Sequence, residues 1–315
     1  MAVLQQTPAR VVGFDVAKDT ITLFDSATGK VATIDNSRSS LRKLISRLEP
    51  DSLAICEPTG GHEARLIDEL ARAGIACHRA DTLKVKAFSR SFGTLAKTDA
   101  IDARALARYG QERWASLPLF APVQAEQKRL TALVARRQDL IDLKVAETNR
   151  LKAPGEDVIQ ASCKTLLRSL ARALERIDQE IDALIDRCQS LKRRVQICLS
   201  LPGVGPRTAV ALAAIMPELG TLSRKQAASL AGVAPHPRDS GTLKGYRKMR
   251  GGRPNVRTAL FMAALAASRA KGPLRQFYQR LVENGKKPIV AISAVMRKII
   301  VILNAKLRDG LAKQS

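Results

Sequence analysis

The sequence predicts two fold classes in one chain, an α/β domain over residues 8–115 and an all-α remainder. Three observations predict this. Short β-rich runs come first and then alternate with helical stretches, the order that builds α/β sheets. Beyond about residue 120 the apolar residues recur every three or four positions, the helical period. The charge divides at the same place. Residues 1–120 hold 17 Lys and Arg against 14 Asp and Glu, a net of +3, whereas 121–315 hold 36 against 15, a net of +21.

The elements follow in order. Residues 11–35 are β-rich around the turn Ser26-Ala-Thr-Gly29, which predicts a hairpin or meander. Residues 39–48 read as a helix, and the apolar run 53–56 as a buried strand ending at Glu57-Pro58-Thr59-Gly60-Gly61. A helix over 62–73 stops at Gly74, and 75–80 is a further strand. Thr98 is placed to cap a helix over 98–110. Residues 120–194 form a helical spacer. Residues 124–151 carry an apolar stripe, and Leu170, Leu174, Ile177, Ile181, Leu184, Cys188 and Leu191 form a coiled-coil seam. Pro154 and Gly155 separate the two, so an antiparallel helical hairpin is expected. Residues 195–315 read as a third, mainly helical domain, with a loop at 232–254 and an apolar helix at 288–307.

Composition excludes several classes. With 45% hydrophobic and 26% charged residues the chain is globular rather than disordered. The apolar runs read as shorter than the roughly 20 residues that span a bilayer, and MAVLQQTPAR lacks the layout of a signal peptide. A cytoplasmic, nucleoid-associated protein without a membrane partner is expected. The five scattered cysteines form no C-x-x-C pair and read as free thiols. The His62-Glu63 pair starts a zinc-protease pattern that Leu66 breaks. No phosphate-binding G-x-x-x-x-G-K-[ST] loop is present. The net charge of +24 instead favours a polyanionic partner.

Four carboxylates stand at predicted element boundaries. Asp15 ends the first apolar run, Glu57 ends the strand 53–56, and Asp99 and Asp102 share one face of the helix 98–110. Oxygen ligands of this kind suit a pair of magnesium ions for phosphoryl transfer. In the basic half, Leu201-Pro202-Gly203-Val204-Gly205-Pro206-Arg207 has the form of a helix-hairpin-helix turn, whose glycines let backbone N–H groups approach a phosphate. Downstream, Arg238, Lys244, Arg247, Lys248, Arg250, Arg253 and Arg257 are interrupted by the single acid Asp239 and can neutralise several phosphates. Ser240 lies among them, and His236 four residues before it.

These motifs resemble a family. Gly13–Asp19 (G-F-D-V-A-K-D), Cys56–Gly60 (C-E-P-T-G) and Lys97–Ala103 (K-T-D-A-I-D-A) look like the three acidic motifs of the RuvC-like DEDD transposases of the IS110 insertion-sequence family, which includes the Piv-type invertases. Pro237-Arg238-Asp239-Ser240-Gly241-Thr242, followed by the Arg250–Arg257 stretch, looks like its C-terminal serine motif. The resemblance covers nearly the whole chain. It implies a ribonuclease H-like N-terminal domain and a C-terminal transposase domain. It implies that Asp15, Glu57, Asp99 and Asp102 hold Mg²⁺, with Mn²⁺ able to substitute, and that Ser240 becomes covalently linked to DNA. It further implies double-stranded donor and target DNA, a noncoding bridge RNA and a dimer or tetramer, with active sites that combine the acidic domain of one subunit and the serine domain of another. Two other readings fit the residues: a junction nuclease that uses water and ignores Ser240, and a non-catalytic architectural nucleic-acid binder.

Overall fold

A computed structural model describes residues 3–312 apart from 94, 95, 97, 122, 154, 156, 238, 243, 244 and 246; at 311 and 312 it describes the backbone alone. The chain divides into two compact units, residues 1–122 and 123–315.

The first unit is a five-stranded mixed sheet covered by helices. β1 (Arg10–Val16), β2 (Thr20–Asp25) and β3 (Val31–Asp35) form the expected antiparallel meander. α1 (Arg38–Ile45) follows, capped by Ser37, whose hydroxyl accepts from the Ser40 N–H. β4 (Ser52–Cys56) then pairs parallel to β1, so the meander and the later parallel strands share β1 as their join. α2 (Ala64–Arg72) crosses to β5 (Ala76–Arg79), which pairs parallel to β4. The sheet order is β3-β2-β1-β4-β5.

Side-chain alternation divides the core between the two faces. Val12, Phe14, Val16, Ile21 and Leu23 pack with Leu41 and Ile45 of α1 and with Leu66, Ile67 and Leu70 of α2. On the other face, Val11, Leu53 and Ile55 pack with α3 (Thr82–Arg90) and α4 (Asp99–Arg113) through Val85, Phe88, Leu106, Ala107 and Tyr109. Every residue of β4 is buried, as a strand covered on both faces must be. Arg10 grips Asp25 with two hydrogen bonds of 3.0 and 2.6 Å and so pins β1 to the end of β2. Burial alone would push the Asp25 carboxyl up, but Arg10, Thr28 and the Ala27 N–H hold it below the usual carboxylate range. No helix was expected over 82–90. α3 forms there because the Asp81 carboxylate accepts from the N–H groups of Leu83 and Lys84.

The second unit is mostly helical. α5 (Ala125–Leu151) and α6 (Gln160–Arg187) pack side by side as the expected hairpin. The proposed seam does not continue along one helix. α6 ends at Arg187, Cys188 is extended with a ψ of 101°, and Leu191 lies on a separate helix, α7 (Gln189–Leu199). α8 (Pro206–Ile215), α9 (Arg224–Leu230), α10 (Pro254–Arg269), α11 (Pro273–Glu283) and α12 (Pro288–Ala312) complete the unit. The loop between α9 and α10 contains two short paired strands, β6 (Pro235–His236) and β7 (Lys248–Met249). The C-terminal end of α8 is closed by neighbours: Gln127 and Thr131 of α5 donate to the Ala213 and Ala214 carbonyls, and Arg194 of α7 to those of Pro217 and Leu219.

One expectation about α12 needs correction. Its stretch Pro288–Gly310 is long and apolar enough to cross a membrane by length and composition. Here it is a core helix: Ala291, Val295, Ile299, Ile300, Leu303 and Leu307 are all buried against the other helices. Within it the buried Asn304 donates to the Leu222 carbonyl and accepts from the Gly220 N–H.

Candidate active site

Two strand ends and one helix start converge in the first unit. Phe14 of β1 pairs with Cys56 of β4, so Asp15 and Glu57, the next residue on each parallel strand, leave the sheet at the same level. Both belong to the face that also carries Val11, Gly13, Leu53 and Ile55, the face covered by α4. The contact there is unusually close. A Cβ on Gly13 would stand 2.1 Å from the Ala103 carbonyl oxygen, and one on Gly110 would stand 2.7 Å from the side chains of Val11 and Ile55. Helix residue 103 thus lies over strand residue 13, and 110 over 11. α4 therefore runs antiparallel to β1, and its first turn stands above the strand ends that carry Asp15 and Glu57.

Asp99 and Asp102 occupy that first turn, with Thr98 as N-cap accepting from the Ile101 N–H at 3.3 Å. Carboxylates there also favour the helix dipole. Asp99 is exposed, and Asp15 and Asp102 are half-buried. Glu57 is half-buried too, and burial raises its carboxyl above the usual range. A hydrogen bond with Thr82 and the charge of Lys86 oppose that rise, while Asp102 and Asp81 add to it. Glu57 and Asp102 are thus near enough to repel each other. Among the described residues, no three His, Cys, Asp or Glu side chains are gathered closely enough to hold a metal ion. The donor set still fits one: hard carboxylate oxygens suit Mg²⁺, and a divalent cation would relieve the repulsion between Glu57 and Asp102.

The loop after Glu57 is pinned by Glu63, which the sequence offers only as part of a broken zinc-protease pattern. Glu63 is only 4% exposed. Its Oε2 accepts from the N–H groups of Thr59 and Gly61, both at 3.0 Å, and from the Thr59 hydroxyl at 3.3 Å. Burial would raise this carboxyl, but these donors hold it below its usual range, and Arg79 lies 3.5 Å from Oε1. The sequence signal was a carboxylate just beyond a Pro-Thr-Gly-Gly turn, with Gly60 and Gly61 at positive φ.

Ser240 belongs to the second unit. It is exposed and lies between β6 and β7. Beside it, Asp239 accepts two hydrogen bonds of 2.7 Å from Arg247 and one of 3.2 Å from the Gly245 N–H. The Arg247 bonds hold Asp239 below the usual carboxylate range. His236 stands on β6 opposite Lys248. The expected phosphate-binding cations fall into three groups. Arg238 and Lys244 lie outside the described residues. Lys248 and Arg250 are exposed, and no ion pair of theirs is among those formed by the described residues. The others have partners within the fold. Arg253 clasps Glu218 at 2.6 and 2.9 Å, Arg207 clasps Asp178 at 2.6 and 2.7 Å, Arg257 donates to the Gly251 carbonyl, and Arg247 holds Asp239.

The turn 200–205 joins α7 to α8. Gly203 has a φ of +93°, and a Cβ there would meet that of Ala267 at 2.5 Å, so packing against α10 already requires a glycine. Gly205 is exposed and caps α8, with Pro206 at its first position. Arg207 and Thr208 face a cavity of about 640 Å³, where Arg137, Gln138, Asn255 and Thr258 supply further polar groups.

Residues 12–154 match a family model described as "Transposase", of the DEDD type of IS110, and residues 195–279 match one described as "Transposase IS116/IS110/IS902 family". The "Pilin gene-inverting protein" of Moraxella lacunata is 28% identical over 95% of this chain and 96% of its own length, and that of Moraxella bovis is equally similar. The "Insertion element IS110 uncharacterized 43.6 kDa protein" of Streptomyces coelicolor is 32% identical over 59% of this chain and 48% of its own length.

Proposed function

The chain belongs to the IS110/IS116/IS902 family of transposases, a DNA-cleaving recombinase by that membership, and from this premise we propose that it cuts and rejoins DNA through Ser240 with metal held by Asp15, Glu57, Asp99 and Asp102. The acidic unit then has a ribonuclease H-like role. The observation that carries this is the meeting of two strand ends, at Asp15 and Glu57, with the first turn of the helix that bears Asp99 and Asp102.

Each group has a defined task. The four carboxylates would bind Mg²⁺ or Mn²⁺, which supplies Lewis-acid stabilisation of charge on the phosphate oxygens. Glu63 holds the loop that presents Glu57. The Ser240 hydroxyl attacks phosphorus, forming an Oγ–P bond as a bond from phosphorus to a sugar oxygen breaks. The serine proton leaves to a base, and the sugar departs as a hydroxyl. The reverse step, with a different hydroxyl, rejoins the strand and frees the serine, so no ATP is needed. Asp239, clamped by Arg247, fixes the backbone next to Ser240. Lys248 and Arg250 give the serine loop its attraction for phosphates, and the α7–α8 turn grips backbone in the manner of a helix-hairpin-helix.

The α5–α6 hairpin is the coiled-coil spacer and the basis of a homo-oligomer. A bridge RNA would share the recognition of donor and target. The basic excess of residues 121–315 supports a nucleic-acid partner, and the family resemblance supports an RNA.

Incubation with substrate DNA, followed by denaturing electrophoresis, tests the serine step. A covalent protein–DNA adduct is expected, and Ser240→Ala abolishes it. Cleavage that survives in Ser240→Ala, with no adduct in the parent, means that water is the nucleophile. If Asp15→Ala leaves recombination in cells unchanged, the metal role is wrong. Sequencing of copurifying RNA tests the guide: one defined noncoding species is expected, and a random mixture counts against it.

A further inference from the structure

A second pocket opens in the first unit beside the Glu57 loop. It has a volume of about 300 Å³ and is lined by Lys18, Asp19, Asn36, Gly61, His62 and Arg65. Both of its walls continue the carboxylate-bearing strands: Lys18 and Asp19 come just after Asp15, and Gly61 and His62 just after Glu57.

Asn36 carries the argument. It is 4% exposed. Its Nδ2 donates to the carbonyls of Ala17 at 3.0 Å, Lys18 at 3.4 Å and His62 at 3.2 Å, so it ties the two walls together. Those three acceptors fix the orientation of the amide, since turning it over would aim its oxygen at carbonyls. Its Oδ1 is buried and has no hydrogen-bond partner among the described residues. Buried acceptors without a donor are rare, and one on a residue that lines a pocket can take a donor brought by a ligand. Around it stand the cations Lys18 and Arg65, both exposed, together with His62. Arg65 uses one nitrogen on the Asn36 carbonyl at 2.8 Å, which leaves other N–H groups for a ligand.

The lining asks for a ligand of mixed character. A bare anion would suit Lys18, Arg65 and His62 but would meet Asp19 and leave Asn36 Oδ1 unserved. A simple amine would suit those acceptors and be repelled by the two cations. We propose that this pocket is a nucleotide subsite, in which Lys18, Arg65 and His62 take a phosphate while Asn36 Oδ1 and Asp19 accept from a hydroxyl or amino group of the same nucleotide. The inference rests on the reading of the chain as a nucleic-acid recombinase and gives the acidic site a neighbour. A strand with one phosphate at the carboxylates would lay an adjoining nucleotide here.

The chain has three histidines, so ring signals of the full-length protein labelled with ¹⁵N-histidine are few enough to assign by substitution. AMP, dAMP and inorganic phosphate would each be titrated. The His62 signals are expected to shift saturably with nucleotide, those of the buried His78 to stay still, and phosphate to bind at least ~5-fold more weakly than AMP. Lys18→Ala, on an exposed turn, should weaken AMP by a similar factor. Preference for AMP over dAMP assigns the 2′-hydroxyl as donor; equal binding assigns the 3′-hydroxyl or the base amino group. No shift at His62, or phosphate binding as tightly as AMP, overturns the proposal. The two readings fail separately. Loss of recombination in Asp15→Ala without a nucleotide shift removes the subsite alone, and a shift with Asp15→Ala fully active removes the catalytic reading alone.

Discussion

The acidic pole and the serine hairpin differ in what holds them. Asp15, Glu57, Asp99 and Asp102 issue from elements with buried cores, and α4 reaches β1 at a point where only glycine fits. Ser240 stands in an exposed loop between two-residue strands, beside one surface ion pair. A metal site needs several ligands fixed together, and buried element ends supply that rigidity. A nucleophile needs only its own atom and a path to phosphorus. On the proposed roles, the difference makes activity and stability coupled in the first region and separable in the second.

Gly13→Ala is the strongest attack on that comparison. Its new Cβ would lie against backbone of α4, whose first turn carries two of the four carboxylates. A loss of at least ~2 kcal/mol is expected, together with recombination near background. Denaturant unfolding and a recombination assay read the two effects. Full activity in a stable variant would mean that the α4–β1 spacing is irrelevant to the site.

Glu63→Gln comes next. It keeps the size of the side chain but weakens the acceptor of three hydrogen bonds. Activity should fall about tenfold, at a cost of ~1–2 kcal/mol in stability. Glu63→Ala should be worse on both counts. Equal activity in Glu63→Gln and the parent would show that the loop needs no anionic anchor.

Arg247→Leu sharpens the other side. The pair with Asp239 is exposed and contributes little to folding, so the melting temperature should stay where it is. Adduct formation should drop about tenfold as the backbone beside Ser240 loses its clamp. A fall in melting temperature as large as that of Gly13→Ala would erase the contrast between the regions.

A further effect concerns pH. Asp25 is held below the usual carboxylate range, so its stabilising contribution is complete above the unfolded value near ~4 and is lost as pH falls through the folded value. Asp25→Asn should cost ~2 kcal/mol at neutral pH, with the gap closing in acid. A gap that persists unchanged at pH ~2 would mean that the Arg10 pair is not its source.

The sequence disclosed local patterns well and distant partners poorly. The meander, the Thr98 cap and the helical remainder depend on turn residues, caps and periodicity, all of which are local. α3 was hidden because Leu83, Val85 and Ala87 alternate rather than follow the helical period, and its start depends on a single cap, Asp81. The α6–α7 break was hidden because Cys188 preserves the apolar rhythm while its backbone departs from the helix. Arg207 and Arg253 read simply as positive charge, since nothing near them in sequence announces Asp178 or Glu218. Asp15 and Glu57 were legible as strand-end carboxylates because each follows an apolar run, whereas the register that sets them side by side is a contact between distant strands. The service of Glu63 to that pair exists only once the turn has closed.

Asn304 has a consequence for how the helices find their places. An apolar helix such as α12 could rest on its neighbours at several offsets, one turn apart, with similar greasy contact. All but one would bury an amide with nothing to bond, at ~1–3 kcal/mol each. In the observed offset the amide answers the Leu222 carbonyl and the Gly220 N–H. The turn at 219–222 thus supplies the partners that single out one seat for α12, and Asn304 is the side chain that reads them.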